Sequence, residues 1–126
     1  MPSHVHLIFR DIEQKPEGLL GNIKRYTSQQ VQKAIKENPQ ESRRERLLWM
    51  MERAADKESN VHKSMLWQHH NKPIELWSID VIMQKLYYIH NNPVEAGFIV
   101  DSTAWKYSSV INYAGGKGII DVILID

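Results

Sequence analysis

The sequence predicts an α+β domain in which helices outweigh strands. Three observations lead there: an alternating apolar segment H-V-H-L-I-F near the N-terminus, three stretches whose apolar residues recur at helical spacing, and an apolar C-terminal run I-I-D-V-I-L-I. At 126 residues the chain suits a single domain over residues 1–126, long enough for one hydrophobic core and too short for two.

Taken in order, residues 4–10 read as a strand. Side chains alternate faces in an extended chain, so His4 and His6 share one side while Val5, Leu7 and Phe9 share the other. An H-x-H pair also arises by chance, and it needs a partner elsewhere before it reads as a metal site. Pro16 suits the first turn of a helix that runs to Glu37 with Leu19, Leu20, Ile23, Tyr26, Val31 and Ile35 on its apolar side, and Asn38-Pro39 stops it. A second helix from Glu41 to Lys57 carries Leu47, Leu48, Met50, Met51 and Ala54, which read as core. The segment K-S-M-L-W-Q-H-H-N-K-P-I-E-L-W predicts an irregular hairpin turning at Asn71 and Lys72. Ser78 caps a third helix with Asp80 in its first turn, and Pro93 sets its end. A short helical turn at W-K-Y-S-S, a bend at G-G-K-G and a strand over residues 119–125 complete the chain.

Composition narrows the chemistry. Apolar residues make up 42% and charged residues 25%, ordinary for a globular protein and unlike a disordered one. There is no cysteine, so any metal must rely on imidazole, carboxylate or amide ligands, a set that favours Mg2+ or Mn2+ once oxygen donors join. No stretch reads as a signal peptide or a membrane span, which makes the cytoplasm the expected location and a membrane partner unexpected. A net charge of +1 leaves nucleic acid open as a partner. Lys24, Arg25 and Lys33 cluster on the first helix, and Arg43, Arg44 and Arg46 on the second, where Glu37, Glu41 and Glu45 balance them as a solvated face.

The third helix supplies the histidines' partner. At about 100° per residue, Ile79, Ile82, Met83, Leu86 and His90 fall in one stripe directed at the core, whereas Tyr88 lands about 180° from Ile79. Tyr87 sits at the stripe's flank. Asn92 lies one turn beyond Tyr88 and Gln84 one turn before it. That geometry alone leaves two readings, an ordinary exposed tyrosine or a functional phenol. Tyr26 is a rival, read as packing because of its apolar neighbours. His62, His69, His70 and His90 fit no common zinc spacing beyond the adjacency of 69 and 70.

The string Y-I-H-N-N-P-V-E-A-G-F-I, taken with the H-V-H segment, W-Q-H-H-N-K-P-I-E-L and W-K-Y-S-S, resembles the REP-associated tyrosine transposases, single-tyrosine members of the HUH nuclease superfamily. The resemblance runs from residue 2 to about residue 113. It implies a ferredoxin-like or RRM-like sheet with the histidine strand at its centre, Tyr88 as nucleophile, and His4, His6 and Asn92 around a divalent metal, Mg2+ or Mn2+. It further implies transposase-type cleavage and joining of single-stranded hairpin DNA through a 5′-phosphotyrosine, in a bacterial cytoplasm at the nucleoid.

The chemistry fits those residue types. Resealing DNA without an external energy source requires the bond energy to stay in a covalent intermediate, which a tyrosine oxygen can hold. A divalent ion on two neutral imidazoles and an amide oxygen offsets phosphate charge. Lys24, Arg25 and Lys106 are the expected phosphate contacts; Trp67, Trp77 and Trp105 read either as stacking residues or as core anchors. Family members carry further strands before the H-x-H segment, so this chain, starting just ahead of His4, is expected to be N-terminally truncated and helix-dominated, completing its sheet with residues 119–125 or with a second protomer in a homodimer. Met1 then reads as an internal methionine, a truncation or a genuine start. The alternative function is a catalytically inactive hairpin-binding remnant. A replication-initiator or relaxase of the same superfamily would share the chemistry, and the Y-I-x-x-N-P-V string argues against it.

Overall fold

In the structure, a computed structural model that describes residues 3–57 and 64–126, regular structure is entirely helical. The elements are α1 (Pro16–Glu37), α2 (Arg44–Asp56), α3 (Ile79–Glu95), a 3-10 turn (Ser102–Ala104) and α4 (Val110–Tyr113). About half of the chain is helical and no described residue belongs to a strand, so the expected α+β, ferredoxin-like or RRM-like sheet is absent. Three local expectations fall with it: the strand at residues 4–10, the hairpin at Asn71 and Lys72, and the strand at residues 119–125. The physical reason is common to all three. A strand exists through hydrogen bonds to a neighbour, and residues 3–10 make no backbone hydrogen bond to any described backbone group. The C-terminal run is held by side chains instead: the Ile125 amide donates to the Tyr113 hydroxyl at 3.0 Å, and the Asn112 amide donates to the Ile120 carbonyl at 3.4 Å.

The chain divides into two compact units, Arg10–Lys72 and the pair of segments Met1–Phe9 and Pro73–Asp126. In the first, Pro16 occupies the opening turn of α1, where its missing amide hydrogen is no loss. Asn38 ends α1, its amide donating to the Ala34 carbonyl at 3.1 Å, and Pro39 follows. α1 packs on α2, whose Met51 and Ala55 are buried. Of the residues expected in the core, Met50 and Tyr26 are exposed. Trp67 ties the following segment to α1 by donating from its indole to the Thr27 hydroxyl at 2.8 Å, and the Met65 amide donates to the Met51 carbonyl at 2.9 Å.

In the second unit the Ser78 hydroxyl accepts from the Val81 amide at 3.3 Å and caps α3. The helix continues through Pro93 to Glu95, past its expected end. Gly97, at φ 76°, is the actual terminator: its amide donates to the Val94 carbonyl at 2.9 Å and the Phe98 amide to the Pro93 carbonyl at 3.0 Å, the paired bonds of a Schellman motif. α3 buries Leu86, His90 and Pro93, while Ile79 and Met83, nearer its start, stay exposed. α4 adds Val110, and its cap residue Ser109 meets His90, the two side chains 3.0 Å apart.

Candidate functional site

α3 presents Tyr88 and Asn92 one turn apart, away from its buried stripe. The N-terminal segment brings His4 and His6 to that side. Their rings meet edge to face at 4.9 Å between centroids, as side chains two apart on an extended backbone can, and the His6 ring stands against the Tyr88 ring at 5.8 Å with an interplanar angle of 80°. His6 and the Tyr88 phenol, far apart in sequence, therefore lie side by side, and His4 joins the contact through His6 alone. Tyr88 is 47% exposed; its neighbour Tyr87 is 71% exposed and forms no ring pair with either histidine.

Asn92 adds an unsatisfied atom. Its Oδ1 is buried and accepts no hydrogen bond from any described group. Buried oxygens are normally partnered, by protein or by ordered water, so this one stands out on the helix. Asn112 Oδ1 is the other such atom, closed in by Gly118, where even a Cβ would come within 2.2 Å of it. Partial burial, with the neighbouring His4 as a second cause, lowers the pKa of His6 and favours the neutral imidazole that a metal needs. Among the described residues no three His, Cys, Asp or Glu side chains gather to hold a metal. The ligand set that the resemblance implies, His4, His6 and the Asn92 amide oxygen, joins two imidazoles to one oxygen donor, chemistry that suits a borderline-to-hard divalent ion.

The remaining predicted residues are scattered. Lys106 is exposed between Trp105 and Tyr107, whose rings interact at 6.4 Å, and Phe98 adds a third ring 6.1 Å from Trp105. Lys24 and Arg25 belong to the other unit. The Lys24 ammonium donates to the Gln68 carbonyl at 2.6 Å, which engages it structurally, and Arg25 donates to Asn22 Oδ1 at 2.9 Å. Trp67 is half-buried and hydrogen-bonded, Trp77 exposed. His69 and His70 are exposed and His90 is buried against Tyr113; His62 and Met1 lie outside the described residues. Sequence reasoning passed over Trp49 and Arg53; their four-residue spacing on a helix was the available signal.

No helix among the described residues is long and apolar enough to cross a membrane. No protein-family model, curated protein or solved structure matches the chain.

Proposed function

We propose that the chain is a metal-dependent tyrosine transposase that cleaves and rejoins single-stranded hairpin DNA, working at the bacterial nucleoid. The observation that carries the reading is the contact of His6, itself paired with His4, with Tyr88, which stands one turn from the unpartnered Asn92 oxygen. A Mg2+ or Mn2+ ion on His4, His6 and Asn92 would supply charge neutralisation at the scissile phosphate. Tyr88 Oη attacks phosphorus, a new P–O bond to the phenol forms, and the bond to the 3′ oxygen breaks. The phenol's proton ends on that oxygen, leaving a 3′-hydroxyl and a 5′-phosphotyrosine; the reverse step on another end completes strand transfer. Asn92 and the imidazoles would hold the ion, and Lys106 and its aromatic neighbours, in the same compact unit, would offer phosphate and stacking contacts.

The test uses 3′-labelled imperfect-palindrome oligonucleotides taken from the DNA flanking the coding sequence, incubated with Mn2+ and run on a denaturing gel. A labelled protein band is expected from the native chain and from Tyr87→Phe, and none from Tyr88→Phe. An unchanged band in Tyr88→Phe refutes the assignment. Hairpin binding that persists in EDTA, with no band under any divalent metal, refutes catalysis and favours the inactive hairpin-binding reading. That second reading draws on the histidines' position on a segment with no backbone hydrogen bonds to described residues.

A further inference from the structure

The outward face of α2 sets an exposed indole between a row of cations on one side and Glu45, Glu52 and Asp56 on the other. With Arg46 taken as the origin and about 100° per residue, Met50, Arg53 and Lys57 fall within about 40° of it and Trp49 about 60° away, so one stripe holds three cations and an indole. Trp49 is 56% exposed and Met50 lies exposed beside it. The Arg53 guanidinium stands over the Trp49 ring, 5.4 Å from its centroid, a cation–π pair that orients a ring still more than half exposed. Trp49, Met50, Arg53, Ala54, Asp56 and Lys57 line a shallow, open recess of about 440 Å³ along this side of the helix. Asp56 is the one acidic side chain in that lining, and among the described residues neither it nor any other carboxylate pairs with Arg46, Arg53 or Lys57.

We propose that this face binds single-stranded nucleic acid, an unpaired base stacking on Trp49 while Arg46, Arg53 and Lys57 meet the adjoining phosphates. Charge complementarity selects the occupant. An apolar protein surface would leave three cations unpaired, whereas a polyanion with exposed aromatic bases satisfies both halves of the stripe. A duplex offers its phosphates and hides its base faces, so it uses only the cations. The proposal does not rest on Tyr88: its readout is binding, and failure to form a covalent adduct leaves it untouched.

The experiment is fluorescence anisotropy of labelled oligothymidylate with the full chain, with oligouridylate and a duplex of equal length in parallel. Trp49 and Arg53 are exposed, so truncation should leave the helix intact, which circular dichroism checks. Each of Trp49→Ala and Arg53→Ala is expected to weaken binding at least fivefold. Trp49→Leu should lose as much as Trp49→Ala because it keeps apolar area and loses the π face, and Trp49→Tyr should restore most of the affinity. The salt dependence should flatten by about 0.7 in log–log slope when Arg53 is removed. Tight binding of either DNA or RNA single strands supports the proposal and the comparison names the sugar. Wild-type affinity in Trp49→Ala, full retention in Trp49→Leu, equal affinity for the duplex, or no binding to any of the three overturns it.

Discussion

Replacing Asn92 with leucine separates what its amide costs the fold from what it gives a metal. A buried oxygen without a donor carries a desolvation penalty of about 1–3 kcal/mol, and an apolar side chain of similar volume removes it. In EDTA, Asn92→Leu should therefore be more stable than the native protein by about 1–2 kcal/mol, or ~4–8 °C in Tm for a domain of this size. Manganese should reverse the order. At a concentration 100 times Kd, a ligand bound only by the folded state adds about 2.7 kcal/mol, on the order of 10 °C, to the native chain. Leucine leaves only the His4–His6 pair, so the variant's gain should be a small fraction of that. Thermal melts followed by circular dichroism, with EDTA and with Mn2+, give both numbers from one pair of proteins. A variant that melts lower in EDTA and still keeps the full manganese gain would show that the Asn92 oxygen is satisfied within the fold and takes no part in metal binding, and the three-ligand site would be wrong.

Two further outcomes follow from the packing of α3. Leu86→Ala should cost about 2–3 kcal/mol in urea unfolding, the lower part of the usual range, because the site is 8% exposed and its surroundings are thinly packed; a loss below about 1 kcal/mol would show that the stripe is not the core of its unit. Burial lowers the pKa of His90, so as pH falls through about 6.5 the unfolded chain takes up a proton before native His90 does. The contribution is complete above that pH and declines below it, a trend that His90→Gln should flatten in unfolding series between pH 5 and 8, and an equal slope in the variant would refute it.

Signals fixed by backbone stereochemistry were legible. Pro16 and Asn38-Pro39 bound α1, and Ser78 starts α3, because each acts on its own turn. Pro93 misled for the same kind of reason: its ring disturbs the preceding turn, yet the helix can absorb it near the C-terminus when a glycine four residues later supplies the paired closing bonds. Met50 was assigned to the core from apolar character alone, although it sits about 100° round the helix from Met51, and that offset leaves it in solvent. Strands were beyond reach because an alternating segment specifies a face and not a partner. The site itself was legible to the extent that it depends on spacing: His4 with His6, and Tyr88 with Asn92. The Asn92 oxygen's lack of a donor and the edge-to-face contact of His6 with Tyr88 arise only when distant segments meet.

The two halves of the candidate site are held by different physics, and that sets how a metal would act. Tyr88 and Asn92 ride on a helix capped at both ends and anchored by Leu86, His90 and Pro93. His4 and His6 ride on a segment whose Val5, Leu7 and Phe9 are exposed and whose backbone pairs with no described backbone group. An aromatic pair contributes about 0.5–1.5 kcal/mol, and ordering the backbone costs about 1–2 kcal/mol per residue, so the His6–Tyr88 contact by itself cannot fix seven residues. On the transposase reading, an ion held by His4, His6 and Asn92 would tie the segment to the helix, and part of its binding free energy would go into that ordering. Affinity for the metal and alignment of the imidazoles with the phenol are then one equilibrium. Any substitution that orders residues 3–9 without touching the ligands should tighten the metal and speed cleavage together.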